Sequence, residues 1–194
     1  MGINPIRLYG PWNEGFALDT HTLASTYVGD NEYGHPMYDT QHSPMGALIY
    51  LLKYRDDYSK LADIIRLAAP FVNSWNALND VDLVLPVPPS RMNRTYQPAH
   101  VIAREIARLI GANYSGGIMN KASPTESKGL SSADKQQLQG TITQTVPATR
   151  EHNILLVDDL CDKGATLTEC VRVLRQDSKI KKIFVLTMTK TRKG

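Results

Sequence analysis

The chain has 194 residues, of which 42% are hydrophobic and 21% are charged, and these values suit one globular domain and exclude two large ones. The 22 basic and 19 acidic residues give a net charge of +3, an excess too small to indicate nucleic-acid binding. Two cysteines are too few for a disulfide framework or a four-cysteine zinc site.

The N-terminal segment, residues 1–42, is rich in Gly, Asn, Asp, Tyr and His and contains strand candidates at residues 16–18 and 23–28. They predict a hairpin or small lobe (a hood) beside a core of residues 43–194, within one domain of residues 1–194. The segment has no cationic start followed by an apolar core, and no stretch of the chain approaches the ~20 apolar residues of a membrane span. We expect a cytoplasmic protein with no membrane partner.

Two helices should come after this lobe. Ser43 before Pro44 is typical of an N-cap and a first helical residue. Apolar residues then recur at helical spacing: Met45, Leu48, Ile49 and Leu52. A second helix is expected to begin near Asp57, and the Lys-Tyr-Arg triplet at residues 53–55 is most simply an exposed helix end.

A buried strand is predicted at residues 82–87, and it leads into a loop that prolines keep from becoming helical. The loop contains Pro88, Pro89, Ser90, Arg91 and Arg94. Its arginines arrive where a parallel sheet binds ligands, although they equally suit ordinary surface charge. A helix is then predicted at residues 97–110, with Gly111 as its C-cap.

The next region combines short strands with one long polar loop. Strands are predicted at residues 114–120 and 141–146, and residues 121–140 between them form either a functional lid or a disordered segment. Lysines in this loop suit closure over an anion: Lys121, Lys128 and Lys135. A last strand is predicted at residues 182–189, and the basic tail after it is most simply solvated.

Residues 153–170 combine a strand, two acids and a turn. The apolar run at residues 154–157 predicts a strand buried on both faces, and Asp158 and Asp159 fall where it should end. A small-residue turn with Gly164 comes next, and helical spacing resumes near Thr166, so backbone N–H groups of the turn can face an anion.

A simpler interpretation of this region stays open at this point. The two acids can be merely solvated, and Thr166 with Glu169 forms the Thr-x-x-Glu pattern of a capping box that needs no ligand. Cys161 most simply fills a small apolar gap.

Strands that alternate with helices predict an α/β fold with an open, twisted parallel sheet flanked by helices. Ligands of such folds bind beyond the carboxyl ends of the strands. Both the turn after Asp158 and the loop after Pro88 belong at that edge.

The order of apolar strand, two acids and Gly-x-Thr turn resembles the phosphoribosyl-pyrophosphate (PRPP) loop of the type I phosphoribosyltransferases. Within that family the chain resembles the competence-associated ComF-type, amidophosphoribosyltransferase-like branch over roughly residues 40–190. Three motifs support this branch: Lys53-Tyr54-Arg55, Pro86-Val87-Pro88 with Arg91 and Arg94, and Ser123-Pro124-Thr125.

The chain departs from that branch in two respects. It lacks the four-cysteine zinc ribbon of many ComF proteins, so no zinc is implied. Asp162 and Lys163 stand where that branch has Thr-Thr, and Asp162 instead resembles the acid that 6-oxopurine phosphoribosyltransferases use as a general base.

The resemblance implies a phosphoribosyltransferase that displaces pyrophosphate from PRPP with Mg²⁺ in favour of an amine or nucleobase acceptor. Asp158 and Asp159 would hold the ribose hydroxyls or the waters of the metal, and Arg91 would offset charge on the leaving group. Asp162 would serve as general base toward the acceptor or, neutralised by Lys163, as a salt-bridged residue of the turn. The implied ligand-binding residues are Asp158, Asp159, Asp162, Lys163, Gly164, Ala165, Thr166, Pro88, Ser90 and Arg91.

A binding protein that keeps the loop without the chemistry is the competing class, namely a non-catalytic PRPP- or nucleotide-binding regulator. The partners implied are PRPP and a small-molecule acceptor, and a homodimer is the assembly that we consider.

Overall fold

The computed structural model of the protein describes residues 2–91, 93–121 and 141–192, which form ten strands and four α-helices. In chain order the elements are β1 (Ile6–Arg7), β2 (Glu14–Thr20), β3 (Thr22–Asp30), β4 (Pro36–His42), α1 (Pro44–Tyr54), α2 (Lys60–Ser74), a 3₁₀ helix (Asn76–Asp80), β5 (Leu83–Pro86), α3 (Pro98–Ile110), β6 (Asn113–Tyr114), β7 (Met119–Lys121), β8 (Ile142–Gln144), β9 (His152–Cys161), α4 (Ala165–Leu174) and β10 (Ile180–Lys190).

Six strands form the central sheet in the order β1-β2-β10-β9-β5-β6. Every neighbouring pair is parallel except β1 and β2. Strand β9 lies in the middle, paired with β10 on one side and β5 on the other. The expected α/β fold with a mostly parallel sheet flanked by helices is therefore confirmed.

Each face of this sheet has its own apolar core. Leu155 and Val157 of β9 face a core that helices α1, α2 and α3 cover, whereas Ile154 and Leu156 face a second core under α4. Because successive side chains of a strand point to opposite faces, β9 supplies both cores. All four of these side chains are fully buried, as expected for a strand covered on both sides.

The helix boundaries agree closely with the predicted caps. The Ser43 hydroxyl accepts a hydrogen bond from the Gly46 N–H at 2.9 Å, and Pro44 opens α1. A Cβ at position 46 would lie 2.0 Å from the His21 carbonyl oxygen, so glycine allows α1 to pack against the backbone after β2. Gly111 ends α3 with a φ of +70°. Helix α2 begins at Lys60, later than predicted.

The expected hairpin in residues 1–42 is wrong in its pairing. Residues 16–18 belong to β2, which pairs with β10 in the central sheet, whereas β3 pairs with β4 in a separate two-stranded sheet. Burial explains this difference, because Ala17 and Leu18 are fully buried and the side chains of Tyr27 and Val28 are more than half exposed. Within residues 2–42, only the β3–β4 hairpin stands apart from the central sheet.

The strand expected at residues 114–120 is interrupted. Its first part is β6 at the edge of the central sheet, and its last part is β7, which pairs with β8 in a second small sheet. The strand expected at residues 141–146 is β8, and that expected at residues 182–189 lies within β10. Most of the predicted lid, residues 122–140, lies outside the described residues.

Asp82 joins β5 to β9 at the amino ends of the strands. Its carboxylate accepts hydrogen bonds from the Asn153 N–H at 2.9 Å and from His152 Nδ1 at 2.8 Å, and Arg150 Nη2 lies 2.9 Å away. Burial tends to raise the pKa of Asp82, but the hydrogen bonds from Asn153 and His152 outweigh burial and lower it. The ionised form is therefore favoured by folding.

We predict that Asp82→Ala lowers the free energy of unfolding at pH 7 by about 1–3 kcal/mol, because the Asn153 N–H loses its acceptor. A carboxyl group whose pKa is lowered by folding stabilises the folded protein at pH values above its ordinary pKa of 3.8. This contribution is lost as the pH falls through the pKa that the group has in the folded protein. Urea unfolding should therefore show the difference from wild type shrinking between pH 5 and pH 3. Asp80→Asn, which removes an exposed ion pair with Lys182, is the control and should have little effect at either pH.

Candidate functional site

The carboxyl ends of β5 and β9 bring two distant segments together at one edge of the sheet. The Val87 N–H donates to the Val157 carbonyl at 2.8 Å, so the loop after β5 starts beside the end of β9. A cavity of about 330 Å³ opens there. Its lining consists of Lys53, Tyr54, Val87, Pro88, Pro89, Ser90, Arg91, Arg94, Gln97, Pro98, Ala99, Asp158, Asp159, Leu160 and Thr166.

Strand β9 continues through the two acids to Cys161, whereas the sequence predicted that it would end at them. Pairing with β10 extends it, because Asp158 lies opposite Thr187 and Cys161 opposite Lys190. Asp158 and Asp159 therefore occupy successive positions of a regular strand and point to opposite faces of the sheet.

Asp159 faces α1, where Lys53 Nζ lies 2.6 Å from its Oδ2. The contact is an ion pair without hydrogen-bond alignment. The Lys53 side chain is 21% exposed and that of Asp159 is 9% exposed, so the pair is largely shielded from water. The interpretation of residues 53–55 as an exposed helix end is therefore wrong for Lys53.

Asp158 is half-buried, and its Oδ1 accepts a hydrogen bond from the Asp159 N–H at 2.8 Å. Burial of the carboxyl group raises the pKa of Asp158 well above its usual range, and the neighbouring charge of Asp159 raises it further. Lys53 acts in the opposite direction. An incoming cation would stabilise the ionised form of Asp158.

The loop after β5 fastens the end of α1. Arg94 Nη1 donates to the Lys53 carbonyl at 2.7 Å, and the Tyr96 hydroxyl donates to the Leu52 carbonyl. The Arg94 guanidinium also lies 5.9 Å from the centre of the Tyr54 ring, within cation–π range. The Lys-Tyr-Arg motif and the proline loop, which are distant in sequence, thus form one unit.

Gly164 forms the turn between β9 and α4. Its φ of +78° lies in the left-handed region, which favours glycine, while a Cβ there would meet only open space. The first N–H groups of α4 have no partner within the helix and open toward this turn. The interpretation of Thr166 and Glu169 as a capping box is wrong, because the N-cap of α4 is Gly164. The Glu169 carboxylate instead binds Arg172 through two contacts of 2.8 Å.

Asp162 does not line the cavity that holds Arg91 and Arg94, but together with Asp158 it lines a smaller cavity of about 240 Å³ at the turn. Its carboxylate accepts a hydrogen bond from the Thr191 hydroxyl at 2.7 Å, which fastens the turn to the segment after β10. It lines a neighbouring cavity of about 700 Å³ on the far side of the turn, together with Lys163 and Lys190. This second cavity also contains Arg7, Leu8, Tyr9, Trp12, Cys161, Gly164, Thr191 and Arg192.

Three more of the predicted site residues, Pro88, Ser90 and Arg91, line the first cavity, and Arg91 is exposed. Lys121 Nζ lies 2.8 Å from the Ser90 hydroxyl, so the one predicted lid lysine within the described residues reaches the proline loop. The Ser-Pro-Thr motif at residues 123–125 falls outside the described part of the chain.

Sequence reasoning missed a pair of histidines beside the acids. His21 Nδ1 lies 3.1 Å from the Thr189 hydroxyl, which itself donates to the Asp159 carbonyl, and His42 Nδ1 lies 3.1 Å from the His21 carbonyl. Burial lowers the pKa of His21, with a further contribution from His42 and Lys53. No local pattern marks His21, because its partner Thr189 lies 168 positions away.

Neither a metal cluster nor a membrane helix is seen in the described part of the chain. Residues 2–91, 93–121 and 141–192 contain no group of three acidic, His or Cys side chains placed to hold an ion. Within the same ranges, none of the helices combines the length and the apolar character needed to span a bilayer.

The sheet order defines the fold class, a mixed α/β fold with a mostly parallel central sheet flanked by helices. No protein-family model and no curated protein matches the chain.

Comparison with solved structures finds similar chains at low sequence identity. "The allosteric regulatory enzyme of purine biosynthesis" is 17% identical with a TM-score of 0.50, and the match covers 81% of this chain and 34% of that one. A purine phosphoribosyltransferase from Pyrococcus horikoshii is 13% identical (TM-score 0.43, coverage 69% and 84%). An APRTase from Giardia lamblia complexed with 9-deazaadenine is 10% identical (TM-score 0.44, coverage 87% and 94%). The chain spans about a third of the first structure, and the likeness shows the fold alone.

Both cysteines are buried, as the apolar-gap interpretation of Cys161 predicted. Burial raises the pKa of both thiols. We predict that iodoacetamide at pH 8 modifies Cys161 and Cys170 at least ~10-fold more slowly in the native protein than in urea, because little thiolate forms. Peptide mass spectrometry measures both rates. Native rates equal to those in urea would show that the turn and α4 open readily.

Proposed function

We propose that the protein transfers the phosphoribosyl group of PRPP to an acceptor and displaces pyrophosphate. The observation that supports this function best is the cavity at the carboxyl edge of the sheet. There, the Asp158 carboxyl group and the cationic Arg91 and Arg94 converge beside the first turn of α4.

The groups around this cavity match the parts of PRPP. A carboxylate accepts hydrogen bonds from ribose hydroxyls, and guanidinium groups pair with diphosphate oxygens, often bidentately. The turn at residues 162–166 and the N-terminus of α4 suit the 5′-phosphate, because their N–H groups and the helix dipole favour an anion. Arg91 and Arg94 would stabilise the charge that develops on the departing pyrophosphate.

The residues present fit a Mg²⁺ ion that arrives with the substrate. Mg²⁺ keeps several waters and is commonly held by one or two carboxylates together with substrate phosphates. Asp158 opens to the cavity and offers such a carboxylate, whereas the Asp159 carboxylate is already paired with Lys53. When bound, the ion would offset negative charge on the diphosphate.

The ComF-type and the purine-type resemblances imply different acceptors. The hydrogen bond from Arg94 to Lys53 and the contact of Arg94 with Tyr54 join two ComF-type motifs into one wall of the cavity, which favours an amine acceptor as in that branch. Asp162 and Lys190 line the adjacent cavity, which favours a purine-like acceptor. The competing function is a regulator that binds PRPP or a nucleotide without turnover.

We predict that Asp158→Asn weakens binding of PRPP with Mg²⁺ by roughly 10- to 100-fold, because charge-assisted hydrogen bonds to the ribose are lost. Calorimetric titration measures the affinity. The control is Asp63→Asn, which removes an exposed carboxylate paired with Arg66 on α2 and should bind as wild type does. Equal affinities of Asp158→Asn and wild type would contradict the site.

Turnover separates an enzyme from a regulator. Pyrophosphate release from PRPP should appear with ammonia, glutamine, a purine or a pyrimidine as acceptor, and it should fall in Asp158→Asn. Tight PRPP binding without release in the presence of any of these acceptors would establish the regulator instead.

A comparison of Asp162 with Thr191, its hydrogen-bond donor, tests whether Asp162 has a catalytic or a structural role. If Asp162 is a general base, Asp162→Asn should lower turnover by ~10²-fold or more with PRPP affinity nearly intact. Thr191→Val removes the hydrogen bond that holds Asp162 and should lower turnover far less. Equal losses in the two variants would assign Asp162 a structural role in the turn and leave the amine acceptor as the better alternative.

A further inference from the structure

Lys53 and Asp159 form the most shielded ion pair in the described residues. Both side chains are less than a quarter exposed, which holds for no other ion pair between residues 2–91, 93–121 and 141–192. A buried charge that loses its partner is strongly unfavourable, so the pair is maintained in the folded protein. The Asp159 carboxylate is therefore committed to an internal contact.

The two neighbouring acids have different surroundings. Both acids line the cavity, but Asp159 shares the strand face of Leu155 and Val157, which α1 and α3 cover, and only 6% of the residue is exposed. Asp158 shares the face of Leu156, toward α4, and is less buried than Asp159. A ligand that enters beside the first turn of α4 therefore meets Asp158 first.

Asp159 nevertheless influences how Asp158 is presented. Its N–H donates to Asp158 Oδ1 at 2.8 Å, and its carbonyl accepts from the Thr189 hydroxyl at 3.1 Å. Lys53 holds the side chain of the same residue, and Arg94 holds the Lys53 carbonyl. The orientation of the Asp158 carboxyl group is thus linked through Asp159 to the end of α1.

We infer that Lys53 is a positioning residue, which neutralises Asp159 inside the protein and orients it so that Asp158 alone of the acidic pair meets the ligand. This inference deepens the proposed function and rests on it for the identity of the ligand. It differs from the expectation that both acids hold the ribose or the waters of the metal. It also gives the lysine of the Lys-Tyr-Arg motif a specific role.

A double-mutant cycle tests the internal pair without any ligand. Lys53→Met and Asp159→Asn should each lower the Tm by roughly 6–20 °C, because each leaves one shielded charge unpaired. The variant with both changes should recover at least half of that loss. Lys53→Arg, which keeps the charge, should stay within a few degrees of wild type. Lys60→Met removes a more exposed pair with Asp57 and is the matched control.

A spectroscopic measurement on the free protein tests the positioning itself. The ¹H–¹⁵N signal of the Asp159 amide reports its hydrogen bond to Asp158. That signal should move upfield in Lys53→Met, return toward the wild-type position in Lys53→Arg and stay unchanged in Lys60→Met. An unchanged signal in Lys53→Met would overturn the positioning role, whatever the Tm values are.

The affinity for PRPP then tests whether Asp158 alone, or Asp159 as well, contacts the ligand. With Mg²⁺ present, Lys53→Met and Asp159→Asn should each bind at least ~10-fold more weakly than wild type, and the double variant should bind at least ~5-fold more tightly than Asp159→Asn. A double variant no better than Asp159→Asn would show that Asp159 contacts the ligand directly and would overturn the inference. Absence of PRPP binding by wild type would overturn the proposed function, while the Tm cycle and the amide signal would still decide whether Lys53 positions the acids.

Discussion

The parallel pairing of β9 with β5 on one side and β10 on the other is the constraint on which the rest of the structure depends. Parallel strands end at the same edge, so this pairing collects the loop after β5, the turn after β9 and the segment after β10 in one place. It also buries β9 on both faces, which accounts for the apolar run at residues 154–157. These three connecting segments line the two cavities at that edge.

Extension of β9 beyond that apolar run has a direct electrostatic consequence. A strand places Asp158 and Asp159 on opposite faces, whereas a loop would leave both free to turn toward solvent. Both acids line the cavity, but Asp159 lies in the layer of α1 and is paired there with Lys53, while Asp158 has no such cation beside it. Two identical neighbours in sequence thus acquire different partners and a different exposure to solvent.

Much of the fold could be predicted because its signals are local. The Ser43-Pro44 cap, the Gly111 stop and the apolar strand before Asp158 each depend on residues a few positions apart, and the structure confirms all three. Residues 16–18 illustrate the opposite case. Their strand is local, but its partner β10 lies more than 160 positions away, so local patterns pair it with the wrong neighbour.

The sequence by itself determined the candidate site as a set of residues: an acidic pair, a glycine turn and a loop of prolines and arginines after two apolar strands. The tertiary structure decided which partner and which cavity each of these residues has. Only packing shows that Lys53 lies under Asp159, that Arg94 holds the end of α1, and that Asp162 faces a second cavity. The reason is that composition and spacing set local conformation and burial, whereas contacts between charges far apart in the chain exist only after the sheet has brought its strands together.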